Sequence, residues 1–154
     1  VESIPHLETV SQVIHLTGKE RPQEMVKRAE QTFPDNYQVH QFFTHEMKEA
    51  YAAADMVISR GGFGTLTEIA ALGKVAIILP TPLHQVQKVK FFEDRGAVVF
   101  VNERTADGNY LAKIVKTLLK DNVARKKLAH SLKKLLPRAK EDDILDIFDD
   151  LLKK

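Results

Sequence analysis

Met56-Val57-Ile58-Ser59-Arg60-Gly61-Gly62-Phe63-Gly64-Thr65-Leu66-Thr67-Glu68-Ile69-Ala70-Ala71-Leu72-Gly73 is the stretch on which the reading of this chain turns. It opens with a short apolar run of the buried-strand kind (56–59), passes through three glycines, and continues as a helix over 65–72 that Gly73 terminates. The elements around it repeat this strand-to-helix unit. Upstream, 12–16 reads as a strand. Residues 24–33 read as a helix, with Met25, Val26, Ala29 and Phe33 at three- and four-residue steps, followed by a strand at 37–43 and a helix at 46–54. Downstream come a strand at 75–79, a stiff Pro80-Thr81-Pro82 loop, a helix at 85–95 ended by Gly96, and a strand at 97–101. The remainder is helical: 110–119, 123–136 capped by Asp121 and ended by Pro137, and a terminal helix within 142–154. The strands are continuous apolar runs, which predicts an α/β chain with a parallel sheet covered by helices on both faces. Such sheets bind ligands at the carboxyl ends of their strands, so the informative loops follow Leu16, Phe43, Ser59, Leu79 and Val101.

Composition bounds the rest. The chain has 154 residues, the size of one domain. Lys plus Arg number 23 and Asp plus Glu 21, so the net charge of +2 gives no argument for a nucleic-acid partner. Hydrophobic residues at 44% and charged residues at 29% describe a folded domain. With no cysteine, disulfides, thiolate metal sites and a Cys nucleophile are excluded together. The apolar runs at 75–80 and 97–101 are too short to span a bilayer, and no signal-peptide pattern opens the chain. Val1 in place of Met reads as a trimmed, processed or partial sequence.

The chemistry concentrates in residues 59–68. Glycines let the backbone approach a ligand and take positive φ, the first amides of the following helix are unpaired, and the helix dipole favours an anion there. Thr65 and Thr67 add hydroxyls. The stretch reads as a phosphate-binding corner, or as a glycine-rich tight turn with no ligand. A P-loop is excluded because no Lys follows these glycines, and a dinucleotide fingerprint because Thr67 stands where a third glycine is needed and the next strand ends in Pro80-Thr81-Pro82 without an acid. The acid is instead Glu68, about one turn into the helix. It suits a diol beside the diphosphate, or is simply an exposed first-turn Glu stabilised by the dipole. After the next strand, His84, Gln85, Gln87 and Lys88 form a donor- and acceptor-rich segment that suits sugar hydroxyls, or a solvated helix face. Of the other histidines, His15 reads as structural, and His40 and His45 lack helical ligand spacing.

Taken in order, Val13-Ile14-His15-Leu16-Thr17-Gly18, Ala50-Tyr51-Ala52-Ala53-Ala54-Asp55, Val57-Ile58-Ser59-Arg60, Gly62 and Thr65, Glu68-Ile69-Ala70-Ala71, Gly73, Pro80, Gln87 and Gly96-Ala97 resemble the carboxyl-terminal, donor-binding domain of GT-B glycosyltransferases. The likeness is to the MurG family of bacterial N-acetylglucosaminyltransferases that make lipid II for peptidoglycan, and it covers residues 13–103. It implies a Rossmann-like fold, the C-terminal half of a GT-B fold lacking its first strand. It also implies one donor-nucleotide-sugar-binding domain over 1–154, part of a larger two-domain enzyme.

The resemblance implies roles as well. Glu68 would hold the ribose hydroxyls of UDP, amides near Gly62, Phe63, Gly64 and Thr65 would face the diphosphate and sugar, Thr44 would lie against uracil, and Gln87, with His84 and Lys88 beside it, would contact N-acetylglucosamine. Lys88 stands where the family usually has a second Gln, Phe91 where it has Asn, and Val75 where it has Pro, which leaves another sugar open. No general base is assigned in this chain, and no cofactor or metal is expected. The implied partners are a UDP-sugar and an amino-terminal acceptor domain, in cis or as a partner subunit. The implied location is cytoplasmic, at the inner membrane face. The basic run between Lys113 and Lys140 reads as a solvated face or as a contact for anionic lipid headgroups. The alternative from another class is a nucleotide-sugar-binding or docking module that performs no chemistry.

Overall fold

A computed structural model describes Leu7, residues 11–18, 36–81 and 83–139, and the isolated helical positions Asp142, Leu145, Phe148, Asp149 and Leu152. The helix read at 24–33, most of the opening ten residues and most of the terminal helix lie outside the described residues. The elements are β1 (Val13–Leu16), β2 (Tyr37–His40), α1 (Met47–Ala53), β3 (Met56–Ser59), α2 (Phe63–Ala71), β4 (Val75–Ile78), α3 (Leu83–Glu93), β5 (Val99–Phe100), α4 (Gly108–Lys120) and α5 (Asn122–Leu135). Strand and helix alternate as read, and all strand pairs are parallel.

β4 is the axis of the fold. All four of its residues are buried, and successive side chains leave opposite faces. Ala76 and Ile78 join Leu66, Ile69 and Ala70 of α2, Val89 and Phe92 of α3, and Leu132 of α5 in one core. Val75 and Ile77 join Leu7, Val101 and the Ala112, Val115 and Leu118 face of α4 in the other. An apolar run without alternation is thus what a strand covered on both faces requires.

The parallel strands form two hydrogen-bonded sheets, β1-β2 and β3-β4-β5, not one. Val13 N and Thr17 N donate to Asn36 O and His40 O of the β2 side, so Ile14 and Leu16 direct their backbone groups to the opposite edge. Ser59 O accepts from Leu79 N, so Met56 and Ile58 likewise point away from β4. Ile14 and Ile58 are each 41% exposed, whereas Val13 and Met56 pack on the same core cluster. Doubly wound sheets of order 3-2-1-4-5 place one strand between these two edges.

Helix ends follow their chemistry. Gly73 at φ 63° closes α2, with Gly73 N donating to Ala70 O and Lys74 N to Ile69 O. Asp121 accepts from Ala124 N at 2.8 Å to cap α5, as read, and Asp107 accepts from Tyr110 N at 2.8 Å to cap α4. Tyr37, buried at the start of β2, has its hydroxyl pushed up to about 12 by desolvation and meets His15 Nδ1, which gives His15 a structural partner. No described helix is long and apolar enough to cross a membrane.

The three glycines of the turn are not equivalent. Gly61 has φ 80°, and a Cβ there would sit 2.6 Å from Ile78 Cγ2. Gly64 lies in α2 with open space around its absent Cβ. Gly61→Ala should therefore destabilise the fold by about 2–4 kcal/mol. Gly64→Ala should leave stability unchanged or raise it by up to about 1 kcal/mol. Urea unfolding of the two variants beside the parent chain checks this, and equal losses at both positions would contradict it.

Candidate functional site

The carboxyl end of β3 delivers the site. Ser59 Oγ accepts from Gly61 N at 3.2 Å, which holds the tight turn. Gly62, at φ −56° and ψ 140°, is the N-cap of α2 and has no side chain to cap it. The first intrahelical bond runs from Leu66 N to Gly62 O at 3.0 Å, so the amides of Phe63, Gly64 and Thr65 have no partner within the helix. These three N–H groups stand at the positive end of the helix dipole, where the sequence reading expects an anion.

The geometry corrects two details. α2 begins at Phe63, two residues before the helix read from periodicity, so Phe63 and Gly64 form its first turn and only Gly61 of the three glycines takes positive φ. Thr67 Oγ1 donates to Gly64 O at 2.7 Å and is committed to the helix, leaving Thr65 as the hydroxyl without a hydrogen bond.

Glu68 stands one turn further along α2. Its Oε2 accepts from Tyr51 Oη at 2.8 Å, across from α1. Tyr51 is half-buried against the α2 side of the core, and desolvation, reinforced by the hydrogen bond and the charge of Glu68, pushes its hydroxyl up to about 12. Tyr51 is therefore a neutral donor at all physiological pH and holds the carboxylate in one orientation, with Oε1 left unpartnered. Glu68, Phe63 and Thr67 line a cavity of about 550 Å³ whose opposite wall is the Leu135-Leu136-Pro137-Arg138-Ala139 segment after α5. Phe63 is 65% exposed there.

The other expected residues lie on separate elements and do not line this cavity. Thr44 precedes α1, where its N–H and hydroxyl reach Glu46 Oε2 at 3.2 and 3.5 Å. The backbone N–H groups of Glu46 and Thr44 hold the Glu46 carboxyl below the usual carboxylate range. Gln87 and Lys88 are exposed on α3, and the His84 side chain lies outside the described residues. Gln85 joins α3 to the turn: with its amide nitrogen turned inward it lies 2.5 Å from Thr81 O and 3.3 Å from Arg60 O. Phe91 is engaged by its own helix, with the Arg95 guanidinium 3.7 Å above its ring and Phe92 edge-on.

Three contributors escaped the sequence reading. Tyr51 stood only within the helix read at 46–54 and the 50–55 run that carries the resemblance, and nothing at a separation of 17 residues signals a partner. Arg60 and Glu103, from the loops after β3 and β5, form an ion pair across the carboxyl ends of the sheet. Arg138 enters the cavity from a segment that read only as a helix terminator and basic run.

Comparison with known proteins gives a consistent neighbourhood. The model of the glycosyltransferase family 28 C-terminal domain matches residues 1–142. A UDP-N-acetylglucosamine--N-acetylmuramyl-(pentapeptide) pyrophosphoryl-undecaprenol N-acetylglucosamine transferase from Halothermothrix orenii is 31% identical over 150 residues, covering 92% of this chain and 40% of the relative. A protein of the same name from Anaeromyxobacter sp. is 30% identical over 161 residues, covering 100% of this chain and 42% of the relative. The crystal structure of MurG from Acinetobacter baumannii aligns with a TM-score of 0.74 at 25% identity, over 97% of this chain and 44% of that one. The glycotransferase of kitacinnamycin shares the fold, with a TM-score of 0.65 at 17% identity, over 86% of this chain and 33% of that one. The chain thus spans about two-fifths of the length of the relatives it matches.

The Tyr51–Glu68 bond has a spectroscopic signature. In an ultraviolet titration the Tyr51 phenol should ionise near 12. Glu68→Gln removes the charge that disfavours phenolate, so the Tyr51 transition should move to lower pH while that of Tyr37 stays in place. An unchanged Tyr51 transition would show that the two groups do not interact in solution.

Proposed function

This chain belongs to the glycosyltransferase family 28 C-terminal domain family, and from that premise we propose that it is the donor-binding half of a glycosyltransferase that takes N-acetylglucosamine from UDP-N-acetylglucosamine. The observation that carries the reading is the corner itself. Three helix amides after Gly62 stand open, and a carboxylate follows one turn on, fixed by Tyr51. Amides of Phe63, Gly64 and Thr65 would receive the diphosphate, and Glu68 Oε1 would accept from a ribose hydroxyl. Thr44 on the uracil side and Gln87, with His84 and Lys88, on the sugar side complete the donor contacts in this reading.

The chemistry asked of these residues is electrostatic. As the bond from the sugar to the diphosphate breaks, negative charge grows on the leaving UDP. Amides already aimed at it stabilise that charge without reorganising and without a metal. The acceptor hydroxyl loses its proton to a base outside this chain, in an amino-terminal acceptor-binding half. The relatives' names point to a lipid-linked acceptor for the whole enzyme. In this reading the whole enzyme works in the cytoplasm, at the membrane face that presents the acceptor, on the route to peptidoglycan.

UDP should stabilise the chain. At a hundredfold excess over its Kd the gain is about 2.7 kcal/mol, or roughly 5–10 °C in melting temperature for a domain of this size. Glu68→Ala should abolish most of the shift. Gln87→Ala should leave the UDP shift intact and weaken the extra shift given by UDP-N-acetylglucosamine. A melting temperature indifferent to UDP and to every UDP-sugar tried would end this reading.

A further inference from the structure

The second cavity lies at the other pole of the sheet. It has a volume of about 400 Å³ and is bounded by the residues that lead into β3 and β4 and by one face of α5. Four permanent cations line it, Lys74, Arg125, Lys126 and Lys133, together with His130, against a single carboxylate, Asp55. The chain as a whole carries only +2, so this concentration of positive charge is local.

Two of the cations are anchored. Lys74 Nζ donates to Ala54 O at 2.7 Å and to Ala52 O at 3.1 Å, and Arg125 Nη1 donates to Leu118 O and Leu119 O at 2.6 and 2.5 Å. These bonds fix the positions of both groups while leaving Arg125 Nε and Nη2 and one Nζ proton without an acceptor among the described residues. Lys126, His130 and Lys133 follow at helical i, i+4 and i+7 spacing, so one face of α5 presents them together. The ion pair found among the described residues joins Arg60 to Glu103, on the opposite side of the sheet, and none joins Asp55 to these cations. Carbonyl-anchored cations give an anion a prepared seat, because the ordering cost is met before it arrives.

We propose that this cavity is a binding site for a phosphate ester anion, separate from the glycine turn. Several converging point charges and a guanidinium fork suit a compact group with oxygens on every side. A free phosphate ester and the headgroup of an anionic phospholipid share that chemistry. The inference does not rest on the donor-site reading, since it uses none of the same residues.

The test has two arms. In the first, the melting temperature is followed against inorganic phosphate at ionic strength matched with chloride. In the second, binding is measured to vesicles of phosphatidylglycerol and of phosphatidylcholine. The parent chain is compared with Lys126→Gln/Lys133→Gln, and with Lys113→Gln/Lys120→Gln as a control on α4 outside the cavity. All four lysines are exposed or half-exposed and bridge to no acid, so the variants should melt with the parent in chloride. Phosphate should stabilise the parent, the α4 control and Glu68→Ala alike. Its apparent affinity should fall at least about tenfold in Lys126→Gln/Lys133→Gln. Binding to phosphatidylglycerol vesicles that follows the same pattern would identify a lipid headgroup as the source, and phosphate binding alone would identify a soluble ester. Absence of any effect in both arms, or equal losses in the cavity variant and the α4 control, would overturn the proposal.

Discussion

The site depends on one contact between backbone and core: the α-carbon of Gly61 lies against Ile78 where no Cβ fits. Ile78 is fully buried at the end of the central strand and cannot move aside, because Leu66, Ile69, Val89 and Leu132 pack around it. The chain leaving β3 must pass over it, and only a residue without a side chain and with positive φ can do so. That passage sets where α2 begins. The buried Leu66, Ile69 and Ala70 face then sets the direction of the helix and so the aim of its open amides. The ligand-facing geometry is therefore a by-product of core packing, and a change in the core beneath it would reach the site without touching a ligand.

The carboxylate is held by a similar chain of support. An exposed glutamate ordinarily samples many rotamers, and ordering it on a ligand costs up to about 2 kcal/mol of side-chain entropy. Tyr51 meets much of that cost in advance. Its ring is packed against the α2 core and its hydroxyl, neutral because burial and Glu68 itself disfavour the phenolate, donates to one carboxylate oxygen. Preorganisation of this kind raises affinity without any added contact to the ligand. An acid one turn into the helix, and not at its very start, is the one within reach of α1.

What the sequence made legible follows from what is local. Apolar runs without alternation, glycine terminators and Asp121 as a cap are encoded within a few residues, and the described elements stand within about two residues of their readings, except that β2 ends at His40, three residues short of the strand read to Phe43. The strand, turn and open helix amides of residues 56–65 were legible for the same reason, since they are contiguous. The division into two sheets was not local. It depends on which edges of β1 and β3 find partners, and the residue run alone carries no sign of that. Tyr51 against Glu68, and Arg138 across the cavity, join elements 17 and 70 positions apart along the numbering. No periodicity reports such pairs. Gly64 was misjudged because a glycine beside glycines looks like part of a turn, whereas here it is a helical residue with room for a methyl group.

The two poles of the sheet handle charge in opposite ways, and the contrast has a physical basis. At the carboxyl pole Arg60 is neutralised by Glu103, so the glycine turn offers amide dipoles with little net charge from neighbouring side chains. Dipoles fixed in the fold stabilise charge that grows during a reaction without having to reorganise, which is what the proposed donor site would ask of them. At the amino pole the cations form no ion pair among the described residues and two are tied to carbonyls, an arrangement suited to a charge already present. The two poles thus present different donors, and the fold supplies each by the same means, a buried strand that fixes the backbone at both of its ends.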